Sequence, residues 1–106
     1  MALTKDFRET IRERAQREPA FRQALLREGL ELIYNGDFAT GRAILRNYIN
    51  ATIGFPKLAQ VTKISSPSLQ RMFGPSGNPR AENLFDVIAH LQRQEGVDIE
   101  LRMRSH

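Results

Sequence analysis

Four residues in one short run have the types and spacing for directional chemistry. Ser66, Ser68, Gln70 and Arg71 alternate with Leu69, Met72 and Phe73 in the stretch SSPSLQRMFGP. The apolar trio falls at helical spacing, so a helix there turns it to a core and leaves the polar four outside. A glutamine amide can meet adenine with two hydrogen bonds, and a guanidinium can do the same with guanine. The set therefore suits contact with base edges, the serines assisting. Ser65 before it can cap the helix, because its hydroxyl accepts from a free backbone N–H. Pro67 fits the first turn. Gly74-Pro75 reads as the stop, the glycine by a left-handed turn and the proline by refusing to continue.

The neighbours of this run suit phosphate. Lys57, Lys63, Ser65, Asn78 and Arg80 are the candidates for holding a backbone and setting register. Asn78 and Arg80 lie in GPSGNPR, a Gly, Ser and Pro-rich loop that is either a phosphate contact or a plain connector. It lacks the pattern of a nucleotide-binding loop, and no strand precedes it. Before the run, a helix from about Pro56 to Thr62 should turn Leu58 and Ala59 inward with Val61 beside them, and Ile64 should plug the turn. After it, a helix over about Ala81 to Gln94 should close the core with Leu84, Phe85, Val87, Ile88 and Leu91.

Residues 54–91 thus read as helix, turn, helix, loop, helix. The matching positions are Gly54, Leu58, Ala59, Ile64, Ser65, Ser68, Leu69 and Arg71, then Gly77, Asn78, Pro79, Asn83, Leu84, Val87, Ile88 and Leu91. In that pattern the chain resembles the lambda-repressor-like helix-turn-helix regulators. With Asn35-Gly36-Asp37 upstream, it is most similar to the antidote (antitoxin) proteins of bacterial addiction modules. The resemblance covers about a third of the chain. It implies an operator-binding autorepressor, a homodimer and a cognate toxin as partner. Many relatives carry Thr-Gln where this chain has Pro56 and Lys57. The backbone contact implied there would pass to Lys57.

Charge agrees with the motif. Between Phe38 and Ala81 stand Arg42, Arg46, Lys57, Lys63, Arg71 and Arg80, with no Asp or Glu. The whole chain is +4, so everything outside that window sums to −2. Positive charge confined to the candidate site is the footprint of a phosphate-binding surface. Arg42 and Arg46, one turn apart, read equally as backbone contacts or as ordinary surface arginines.

A chain of 106 residues makes one domain: supporting helices over 1–53, the helix-turn-helix core over 54–94 and, over 97–104, a segment that could form a short dimerising strand. With 41% hydrophobic and 26% charged residues it should fold rather than stay disordered. The expected class is all-α, a compact bundle of about six helices. Thr4 should cap a helix over about Lys5 to Arg17 with the stripe Phe7, Ile11 and Ala15. That helix could pack on the body, on a partner or on DNA. Pro19 should start a second helix ending at Asn35-Gly36, burying Phe21, Ala24, Leu25, Leu32 and Ile33. Asp37 should cap a third, over about Phe38 to Ile53, with Ala43, Ile44, Tyr48, Ile49 and Thr52 on one face and a close neighbour at Gly41. Past Gly96 the pattern changes. Val97, Ile99, Leu101 and Met103 alternate with Asp98, Glu100, Arg102 and Arg104, a strand pattern with no second strand in the chain. Such a strand needs a partner, from a second copy or another protein; otherwise the segment is a charged tail.

Other chemistry finds little to work with. There are no cysteines, and the two histidines, His90 and His106, are not at metal-ligand spacing. No nucleophile elbow or carboxylate pair is visible, so no enzyme activity, metal or cofactor is expected. No apolar run could cross a membrane and the first ten residues have no apolar core, so the expectation is a cytoplasmic protein. The composite expectation is a sequence-specific regulator of double-stranded DNA. Its alternative is a protein-interaction module that keeps the shape without reading DNA.

Overall fold

Prolines and short polar residues set the helix ends. The computed structural model describes residues 5–106, apart from the side chains of residues 5 and 7–9. Thr4 and the side chain of Phe7 lie outside the described residues. Among these, the helices are α1 (Lys5–Arg17), α2 (Pro19–Tyr34), α3 (Phe38–Ala51), α4 (Phe55–Thr62), α5 (Ser66–Met72) and α6 (Ala81–Glu95). The architecture is an all-α bundle. Pro19, Pro56 and Pro67 each sit in a first turn, where a missing N–H costs nothing. Asp37 caps α3 by accepting from Thr40 N at 3.3 Å. The radius of gyration is 13.4 Å, close to the roughly 13 Å of a compact chain this long.

The frame is the crossing of α2 over α3 at two glycines. A Cβ on Gly41 would lie 2.9 Å from the Gly29 carbonyl oxygen and 2.6 Å from Ile33 Cγ1. The close approach expected at Gly41 is present, and Gly29 is its counterpart. This contact also fixes which faces are buried. On α2 these are Leu26, Gly29, Leu30 and Ile33, so the expected set of Phe21, Ala24, Leu25 and Leu32 is only half-buried. Apolar residues surround most of α2, and periodicity alone could not choose among its faces. On α3, Tyr48 and Ile49 are buried as expected, joined by Leu45 and Ala51, whereas Ala43 is exposed. The helix stops at Ala51, short of Ile53, because Thr52 leaves the helical region.

Phe55, Leu58, Leu69, Met72, Phe73, Val87, Ile88 and Leu91 complete the core from α4, α5 and α6. Val61 is 43% exposed and Thr62 is buried in its stead, donating its hydroxyl to the Leu58 carbonyl at 2.8 Å. Phe85 is exposed as well. Its ring lies 6.3 Å from that of Tyr34, at the margin of the bundle. Gly74 does not adopt a left-handed φ, since Pro75 restricts the residue before it.

Residues 97–104, whose alternation calls for a partner strand from a second copy or another protein, form no strand within the single chain. Among the described residues no strand forms, and residues 97–106 have no ladder partner. Ile99 packs against the core, while Leu101 and Met103 stand exposed.

One polar clamp ties the supporting helices to α6. Glu95, its side chain 1% exposed, accepts from Arg22 Nε at 2.8 and 2.9 Å and from the Tyr48 hydroxyl at 2.5 Å. Arg22 Nη1 also donates to the Ala15 carbonyl at 2.8 Å, so α1, α2, α3 and α6 meet there. Burial pushes the Glu95 carboxyl up, but the bonds from Arg22 and Tyr48 outweigh it and hold the carboxyl below its ordinary value. The bond to Glu95 raises Arg22, and burial with the same bond raises Tyr48. The described part of α1 is therefore docked on the body. Ala15 is fully buried, and the Arg14 guanidinium lies 4.2 Å from the centre of the Phe21 ring.

Candidate functional site

The site is built on a three-residue turn. Lys63 ends α4 in a left-handed conformation, φ 65°, which is uncommon for a residue with a side chain. Ile64 follows, partly buried against the core, as a plug between α4 and α5. Its N–H donates to Thr62 Oγ1 at 3.3 Å. Ser65 then caps α5 by accepting from Ser68 N at 3.2 Å. Leu69 and Met72 anchor the helix, and Phe73 just beyond packs against Phe55 with ring centres 6.3 Å apart.

On the outer side of α5 the expected polar side chains form a connected set. Arg71 Nη2 donates to Ser68 Oγ at 3.1 Å, and Ser65 Oγ donates to the same oxygen at 2.9 Å. Gln70 Nε2 donates to Ser66 Oγ at 3.2 Å. Arg71 and Gln70 each use one donor and keep others free, so their head groups are held without being consumed, whereas the single Ser65 hydroxyl donor is used up. Gln70 and Arg71 are exposed, while Ser66 and Ser68 are half-buried.

Beside α5 lies a cleft of about 1320 Å³. One wall is α5 with Ser68, Gln70 and Arg71. The facing wall is α3, with Arg46, Asn47 and Asn50. The loop closes one side with Asn78, and Arg12 of α1 also lines the space. No Asp or Glu lines it. The loop shape depends on Gly77, where a Cβ would collide with the backbone oxygens of Arg71 and Met72. Gly77 N donates back to the Gly74 carbonyl at 3.0 Å.

The other expected phosphate ligands are more scattered. Lys57 is exposed on α4, Lys63 on the turn and Arg80 just before α6, and none of the three lines the cleft. Of the α3 arginines, Arg46 lines it and Arg42 does not. The Nε of Arg42 is buried with no hydrogen-bond partner among the described residues. Sequence reasoning missed Asn47 and Asn50. Their spacing from Arg46 puts all three on neighbouring faces of one helix, a signal that was present. Arg12 had no local signal, because only the docking of α1 brings it near.

The features define an all-α bundle with a short polar helix flanked by a cationic, acid-free cleft. Comparison with protein-family models, with curated proteins and with solved structures found no match to this chain. No described helix is long and apolar enough to cross a membrane.

Proposed function

We propose that the protein is a sequence-specific binder of double-stranded DNA that reads the major groove with α5. The observation that carries this reading is the outer side of α5, where Gln70 and Arg71 stand exposed and pre-oriented by Ser66 and Ser68. Gln70 and Arg71 contact base edges, and Ser66 and Ser68 assist. Lys57, Lys63, Ser65, Asn78 and Arg80 hold phosphates and set the register. The acid-free window from Phe38 to Ala81 supplies the field that draws the duplex in.

The resemblance of residues 54–91 to lambda-repressor-like regulators extends the proposal. The protein acts in the cytoplasm as an autorepressor of the antitoxin type, as a dimer whose two reading helices lie roughly 34 Å apart, one DNA turn. Selection from a random duplex library tests this. The expected product is a palindromic site with half-sites about one turn apart. Recovery of no enriched sequence contradicts it.

A second reading, a toxin-neutralising interaction module, draws on one observation. Tyr34, Phe38 and Phe85 are all about half exposed, and large apolar groups on a surface suit a protein partner. Under this reading, Tyr34→Ser with Phe85→Ser abolishes co-purification of the neighbouring gene product and leaves DNA affinity unchanged. Unchanged co-purification contradicts it.

A further inference from the structure

The cleft between α3 and α5 is large and open, and the charged side chains that line it are all arginines. Small-ligand pockets run to about 300–1,000 Å³ and are mostly apolar. This one is about 1320 Å³, and beside apolar residues such as Phe55, Pro56 and Met72 it brings together Arg12, Arg46, Arg71, Asn47, Asn50 and Asn78 without a carboxylate. Among the described residues no carboxylate pairs with Arg46 or Arg71. Guanidinium groups without a carboxylate partner favour phosphate oxygens, which they can meet with two parallel hydrogen bonds.

Geometry indicates the source of that phosphate. An α-helix with its side chains is roughly 10–12 Å across, and the major groove is about 12 Å wide. A helix seated in the groove fills it, so the sugar–phosphate strand at the groove edge must rest on the protein surface beside that helix. The cleft is the surface beside α5, and Gln70 and Arg71 form the border between them.

We infer that the α3–α5 cleft seats one sugar–phosphate backbone of the bound duplex, with Arg46 and Arg12 as phosphate ligands and Asn47 and Asn50 assisting. This rests on α5 reading DNA, and it extends the interface to α1 and α3, outside the helix-turn-helix segment. The docking of α1 through Ala15 and Arg22 then has a functional consequence, since it delivers Arg12 to the cleft.

Anisotropy titrations of a labelled 25-base-pair duplex carrying the selected site, and of its scrambled counterpart, test this over a series of salt concentrations. Arg46→Gln should weaken both duplexes by a similar factor, roughly three- to tenfold, and reduce the slope of log affinity against log salt by about 1. Arg46→Lys keeps a point charge and should restore the slope. Arg12→Gln should act like Arg46→Gln, and Arg93→Gln, on the exposed last turn of α6, should change neither. A matching thermal melt shows that each variant is folded. If the wild-type protein prefers its site but Arg46→Gln leaves the slope unchanged, the cleft assignment is wrong and the reading helix stands. If the wild-type protein binds neither duplex at low salt, both fall.

Discussion

At Lys63 the chain accepts a left-handed backbone at a residue that bears a side chain. Such a conformation costs on the order of 1–3 kcal/mol, and a glycine would remove most of that while adding freedom to the unfolded chain. Lys63→Gly should therefore raise stability by a net of about 0.5–1 kcal/mol in urea denaturation. If Lys63 touches a phosphate, the same variant should weaken all DNA equally. A lower midpoint would show that the lysine makes a stabilising contact the backbone argument omits. Ser65 is the opposite case. Its hydroxyl satisfies the Ser68 N–H, and Ser65→Ala should cost about 1 kcal/mol by the same measurement. Arg71 lies between two roles, base contact and cleft wall. Arg71→Ala should cost about 1–3 kcal/mol on the selected site and less on scrambled DNA, if it pairs with guanine. Equal losses would assign it to the backbone.

Among the elements, the α2–α3 crossing and the Glu95 clamp decide how the first three helices hold α6. Gly41→Val would drive carbons into the Gly29 carbonyl and Ile33, and should cost about 2 kcal/mol or more, read as a lower melting temperature. Glu95→Ala leaves the guanidinium of Arg22 without its partner. Its side chain is one-quarter exposed, which allows partial rehydration, so the cost should fall near the low end of the buried-pair range, about 3 kcal/mol. The sign of the pH effect follows from the depressed carboxyl. Glu95 stabilises the fold above the ordinary glutamate range, near 4.3, and that contribution is lost as pH falls through its lower folded value. Acid should thus destabilise the wild-type protein more steeply than Glu95→Gln; parallel curves would contradict the clamp. Little of this was legible in the sequence. Four helix ends were, since Pro19, Asp37, Ser65 and Gly96 act locally, whereas the end of α3 and the conformation of Gly74 were not. The rotation of α2 was not, because Leu25, Leu26, Leu30, Leu32 and Ile33 offer competing faces and the Gly29–Gly41 contact chooses. Arg22 and Glu95 are 73 positions apart, and no pattern links them. The alternating tail forms no strand within the single chain for a related reason: period two describes a strand, but its neighbour would have to come from another chain.

For the molecule as a whole, the charge of the acid-free window meets the cleft at Arg46 and Arg71. The basic residues of the acid-free window run from Arg42 and Arg46 on α3 through α4 and α5 to Arg80 before α6. The fold then adds Arg12 from α1 to the cleft that Arg46 and Arg71 line. The polar outer side of α5 was readable from seven residues; the cleft was not, since it is made by docking α1 and α3 alongside. The central claim is that this face reads DNA sequence. The direct test is fluorescence anisotropy of the purified protein against the selected duplex and its scrambled form, at low and physiological salt. The expected result is tight binding to both at low salt and, at physiological salt, a preference of about a thousandfold or more for the selected site. Equal affinity for the two duplexes at physiological salt, or no binding to either at low salt, would contradict it.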